Sequence, residues 1–138
     1  MKVKKFIRSS PHLPVKNLQQ TLDYYRDTLG FYDEWTWKNE VGEIKDGGIR
    51  RDDMRLLFAE DPGFTIVVNN EQNRLPLMWF VENIGEVFSE FKNKGIEMAD
   101  TLRHHPYGVR EFAFIDINGY YIRVAEAVEE YSLKASEV

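Results

Sequence analysis

Four residues recur in one register, 66 positions apart: Val15, Asn17, Leu18 and Tyr25 are matched by Val81, Asn83, Ile84 and Phe91. A repeat of this length constrains the fold more than any single motif, because each copy must build the same supersecondary unit. In the first copy Leu13 and Val15 alternate with polar neighbours, as in a strand with one covered face. Asn17 then caps a helix, with Gln20 in a capping-box position. Leu18, Leu22, Tyr25 and Leu29 form one apolar stripe, and Gly30 supplies the left-handed stop. The second copy runs from the apolar strand Pro76–Val81 through a helix opened by Asn83, with Glu86 in the box position. Ile84, Val87, Phe88 and Phe91 make its buried stripe, and Gly95 ends it.

The segments between complete each module. A first strand is predicted from about Phe6 to Val15, then strands at Asp33–Lys38, Glu43–Arg50 and Met54–Glu60. Phe64–Arg74 reads as a linker holding a short strand, since Thr65-Ile-Val-Val68 is β-branched. Strands at Ile96–Leu102, Arg110–Ile115 and Tyr120–Glu126 follow, with a loop at Arg103–Gly108 and a tight Asn-Gly turn at Asp116–Gly119. The expected fold class is therefore α+β: two tandem βαβββ modules, at about 6–60 and 76–126, joined by a linker at 61–75 and followed by a polar tail from 127 to 138.

Composition excludes several functions. The chain has 138 residues, 43% of them hydrophobic and 14% aromatic, enough for a real core. With no cysteine, disulfides and thiolate metal sites are ruled out. A net charge of -5 argues against nonspecific nucleic-acid binding, which needs clustered cations to neutralise phosphates. No stretch reaches membrane-spanning length, and Phe6-Ile7 is too short for a signal-peptide apolar region, so a cytoplasmic protein is expected.

Pro11-His-Leu-Pro-Val15, Asn17-Leu18, Tyr24-Tyr25 and Leu29-Gly-Phe31 open a resemblance that covers about residues 9 to 126. It closes on Gly108-Val-Arg-Glu-Phe112 and Asp116-Ile-Asn-Gly119-Tyr-Tyr-Ile-Arg-Val-Ala-Glu126. The sequence resembles the vicinal-oxygen-chelate superfamily of glyoxalase I, extradiol dioxygenases and bleomycin-resistance proteins, and is most similar to the bleomycin-resistance branch. Ile117 departs from the proline usual in the turn. The resemblance implies one domain of eight strands in an open, cupped sheet with helices outside, and a homodimer with binding clefts between subunits.

Metal-dependent members place four ligands on the concave face. Carried over, those positions fall on Ser10, Pro76, Arg123 and Arg55. Proline and arginine cannot ligate a divalent cation, and serine alone is a poor ligand, so no metal or other cofactor is expected. His12 shares the face of Ser10, and is read either as a scaffold residue or as a group facing the cavity. His104-His105 reads as a pair of solvated loop residues.

The inward set begins with Ser10, His12, Arg55 and Leu57 of the first module and Met78, Phe80, Tyr121 and Arg123 of the second. Trp35 and Trp37 form either an aromatic wall or a surface packed on a helix or a dimer partner. Tyr107 and Phe112 contribute from the closing loop and strand, while Trp79 belongs to the helix-side core. Apolar walls with a few polar groups suit a small-molecule cleft. Arg55 and Arg123, in corresponding places, would make an electropositive spot unless acidic neighbours neutralise them. Two functions follow as expectations: stoichiometric sequestration of a small molecule without metal, or metal-free isomerase or lyase chemistry using His12 or Tyr121.

Overall fold

The computed structural model describes residues 3–127. Its elements are β1 (His12–Val15), α1 (Leu18–Asp27), β2 (Tyr32–Lys38), β3 (Ile44–Arg51), β4 (Met54–Glu60), α2 (Pro62–Val68), β5 (Pro76–Val81), α3 (Ile84–Asn93), β6 (Met98–His104), β7 (Arg110–Ile115) and β8 (Tyr121–Glu126). Two compact units part between Thr65 and Ile66. Each holds a four-stranded mixed sheet, in the orders β1-β4-β3-β2 and β5-β8-β7-β6. The outer pairs β1–β4 and β5–β8 are parallel and the rest antiparallel. This is an α+β fold of two βαβββ modules.

In the first unit the Asn17 side chain accepts the Gln20 N–H at 2.8 Å, satisfying a donor the helix leaves free. Leu18, Leu22 and Tyr25 of α1 are buried, as are Leu13, Ile49 and Phe58 on the facing sheet surface. Tyr25 meets Phe31 edge-on at 5.3 Å and Phe58 at 5.2 Å, geometries that the ring quadrupoles favour. Gly30 takes φ +75° just past the helix, where a side chain would be strained.

The second unit repeats the plan with aromatic packing. Phe91 of α3 meets Phe112 at 6.0 Å and Phe114 at 5.4 Å, and Trp79 meets Phe114 at 5.9 Å. Trp79 thus lies in the helix-side core, as expected. The copies differ at the cap. Asn83 has φ +54° and makes no side-chain cap, so the predicted capping box with Glu86 does not form; the Asn83 carbonyl accepts the Glu86 N–H instead.

Three further predictions need correction. The first strand does not start at Phe6: that side chain is 100% exposed and pairing begins at His12. The supposed strand in the linker is the helix α2. Pro62 occupies its first turn, where no backbone N–H is missed, and Asp61 accepts the Phe64 N–H at 3.0 Å. The Thr65 hydroxyl also donates to the Asp61 carbonyl at 2.7 Å, so local capping overrides β-branched propensity. Finally, β6 continues to His104, through part of the predicted loop. The predicted polar tail lies outside the described residues except for Ala127, whose N–H donates to the Val81 carbonyl at 2.8 Å. Among the described residues no helix is long and apolar enough to cross a membrane.

Candidate functional site

Each sheet has one face packed on its helix and one free of helix, and alternation along the strands assigns residues between them. In the first unit pairing aligns His12, Leu57, Gly48 and Trp35 across the sheet, on the face opposite Leu13 and Phe58. A Cβ at Gly48 would fall inside the Trp35 indole, 2.7 Å from Cε2 and closer still to Cζ2. Glycine there lets the ring lie on the backbone, so Trp35 covers the sheet rather than a helix. Trp37 lies opposite Asp46 on the same face. The Asp46 carboxylate stands 3.5 Å from His12 Nε2 and faces the imidazole.

Arg55 lies opposite Arg50. Arg50 is held by Asp33 at 3.0 and 2.6 Å and sits 4.9 Å over the Tyr32 ring. Arg55 takes part in none of the hydrogen bonds or ion pairs of the described residues. Ser10 is half-buried ahead of β1 and outside the strand pairing.

The second unit's helix-free face has a polar centre. One cross-strand row runs Met78, Arg123, Ala113 and Asp100; the next runs Phe80, Ala125, Glu111 and Arg103. Alanines opposite both Arg123 and Glu111 leave the diagonal open for the two long side chains to meet. Arg123 Nε donates to Glu111 Oε2 at 2.6 Å, and Nη2 donates to Oε1 at 2.9 Å. The Tyr107 hydroxyl donates to Oε1 and accepts from Arg123 Nη2 at 2.9 Å. Glu111 is only 4% exposed. Burial alone would raise its carboxyl, but hydrogen bonds from Arg123 and Tyr107 outweigh it and hold the group below its ordinary value. Burial and the Glu111 charge push the Tyr107 phenol up, against Arg123.

Tyr107 is delivered by a tight turn between β6 and β7. Gly108 N–H donates to the His105 carbonyl at 2.9 Å, and His105 N–H to the Val109 carbonyl at 3.0 Å. Gly108 has φ +91°, which favours glycine. The His105 ring lies 5.2 Å from that of Tyr107, and its Nε2 is 3.8 Å from Asp100. The His105 side chain is only 9% exposed, contrary to the expected solvated pair; His104 alone is exposed.

The structure brings Met78, Phe80, Tyr121 and Arg123 onto one face, with Tyr107 in contact with Arg123. It does not bring Phe112 there. That ring is fully buried between Phe88 and Phe91 on the helix side, one residue out of phase with Glu111. At Arg123 the neutralised alternative holds, with Glu111 as the acidic neighbour. The sequence reading missed Glu111, although counting back from the Asp116–Gly119 turn pairs Ala113 with Arg123 and sets Glu111 on its diagonal.

The register also revises one metal position. His12 pairs with Leu57 as Met78 pairs with Arg123, so the counterpart of Arg123 is Leu57, and that of Arg55 is Tyr121. The residues at the four positions are then Ser10, Leu57, Pro76 and Arg123. An aliphatic side chain, a proline and a salt-bridged guanidinium do not fit a divalent cation. Among the described residues, no three His, Asp or Glu side chains gather in ligating positions.

No curated protein sequence matches the chain at a significant level. Solved structures match its fold. TioX from Micromonospora sp. ML1 superposes with a TM-score of 0.70 at 14% identity, over 89% of this chain and 100% of that one. The bleomycin resistance determinant encoded on transposon Tn5 gives a TM-score of 0.69 at 18% identity, over 88% and 98%. A bleomycin-binding protein complexed with bleomycin gives 0.67 at 16% identity, over 89% and 100%. Residues 9–124 match one family model, and with it the repeat, the two βαβββ modules and the closing hairpin agree: the chain belongs to the Glyoxalase/Bleomycin resistance protein/Dioxygenase superfamily.

Proposed function

We propose that this protein binds a small molecule without metal and acts by sequestering it, as a cytoplasmic homodimer of the bleomycin-resistance type. The observation that carries the reading is the helix-free face of the second unit. Met78 is 37% and Phe80 55% exposed there, beside an Arg123–Glu111–Tyr107 centre whose hydrogen bonds are satisfied internally. Exposed apolar side chains around a fixed polar group suit recognition of a ligand. The neutralised arginine also removes the charge that would repel a cationic glycopeptide. The fold matches to bleomycin-resistance proteins support the same ligand class.

A thermal-shift titration of chelator-treated protein with metal-free bleomycin tests this. At about 100 times its dissociation constant a ligand adds roughly 2.7 kcal/mol to the folded state, worth several degrees in a chain of this size. A saturable rise supports sequestration, and the absence of any shift removes bleomycin as the ligand. The other reading, a metal-free isomerase or lyase, draws on His12. Asp46 at 3.5 Å orients an imidazole whose side chain is 49% exposed, as a general base requires. Turnover of a bound compound, abolished in His12→Ala, would favour that reading.

A further inference from the structure

Two of the arginines on the helix-free faces, Arg55 and Arg123, are in opposite states. Arg55 has no partner among the described residues, whereas Glu111 fills the Nε–Nη2 edge of Arg123. That edge is one of the two with which a guanidinium grips a planar anion, and the other shares Nη2, which already donates to Glu111 and to the Tyr107 hydroxyl. Both Glu111 oxygens are engaged, the residue is 4% exposed, and Tyr107 closes over the pair with its hydroxyl on Oε1. An incoming carboxylate or phosphate would have to displace Glu111 and leave a buried charge without its cation, a costly exchange.

We propose that Glu111 is a specificity-determining residue: a built-in counter-anion that closes the Arg123 fork to external anions, so this face admits neutral or cationic ligands. The arrangement is specific to the second unit. At the register counterpart of Arg123 the first unit has Leu57, and Arg55, which has no partner among the described residues, lies two residues away. On the same face Arg103 is paired with Asp100 at 3.0 Å through both carboxylate oxygens, and Phe80 and Met78 beside the closed fork supply apolar contact that carries no charge preference, which leaves Glu111 to set it. The inference rests on reading this face as ligand-binding. Bleomycin titration reports occupancy, whereas the experiment below reports charge selection at one side chain, so either can fail alone.

The Nε–H resonance of Arg123, assigned by its loss in Arg123→Lys, is followed while benzoate, inorganic phosphate or neutral benzamide is titrated into the full chain. In the wild-type protein, benzoate and phosphate are expected to leave it unmoved. In Glu111→Gln both are expected to shift it saturably, while benzamide still leaves it unmoved. Glu111→Asp, which withdraws the carboxylate by one methylene, should give an intermediate response if Glu111→Gln does not fold. Saturable movement of the wild-type resonance by benzoate would overturn the proposal. So would a folded Glu111→Gln protein in which benzoate and phosphate also leave the resonance unmoved.

Discussion

Replacing Arg123 with methionine isolates the energetics of the second unit's polar centre. The change removes two hydrogen bonds to a carboxylate, at 2.6 and 2.9 Å, and leaves Glu111 buried with only the Tyr107 hydroxyl. Removing the partner of a charged group costs about 1.5–3 kcal/mol per bond in well-buried settings. The Arg123 side chain is 36% exposed, so solvent screening discounts this to about 2 kcal/mol in total. For a chain of this size that lowers the melting point by about 6 °C near neutral pH. The loss depends on pH in a defined direction. In the wild-type protein the Glu111 carboxyl sits below its ordinary value, so its contribution is complete above about pH 4.3 and drains away as pH falls through the folded value. In the variant, burial dominates and the folded value rises above the unfolded one. The carboxyl is then destabilising at neutral pH and takes up a proton as the solution is acidified. Melting both proteins from pH 7.5 to 3.5 should show the gap closing toward the acid end. A gap that stays constant across this range would refute the account, because Glu111 would then not be the group left unpaired.

Other outcomes follow from local geometry. Gly48→Ala sets a Cβ against Trp35 and should cost about 1–3 kcal/mol, with a shift in tryptophan emission as the ring is displaced. Asn17→Ala removes the Gln20 cap and should cost about 1 kcal/mol, whereas Asn83→Gly should stabilise by a few tenths to about 1 kcal/mol, because Asn83 holds φ +54° without a side-chain cap. Denaturant melts of the two variants should move in opposite directions. Tyr107→Phe removes the hydroxyl that Glu111 and Arg123 share and should cost about 1 kcal/mol. Its melting curve should depend on pH in the wild-type direction but more weakly, because the Arg123–Glu111 pair remains while one hydrogen bond that lowers the Glu111 carboxyl is lost.

The modular plan was legible because the repeat places the same signals twice: an alternating strand, an apolar helical stripe and a positive-φ glycine at Gly30 and Gly95. Helix α2 was not, since Thr65-Ile-Val-Val68 favours strand and only the Asp61–Pro62 cap reveals the helix. Alternation sufficed to put His12 and Leu57, or Met78 and Arg123, on their helix-free faces. It failed where facing depends on a partner strand. Phe112 and Glu111 are adjacent, and only the register across the β7–β8 hairpin tells which of them meets Arg123. The same limit explains the mismatch of Arg55 with Arg123: residue type pairs the two arginines, whereas the 66-residue offset and the register pair Arg123 with Leu57.

The parallel pairing that closes each sheet sets an order of assembly. His12 must find Leu57, and Met78 must find Arg123, each 45 residues further along the chain. The hairpins β3–β4 and β7–β8 close over short turns and carry little loop entropy, so they can zip early. Strands β1 and β5 leave the ribosome first in their modules and are the last to be paired. During synthesis the first module can therefore be finished, with β1 seated against β4, before β8 exists to receive β5. The nascent protein passes through a stage in which half of it is native and the other half still waits for its final strand.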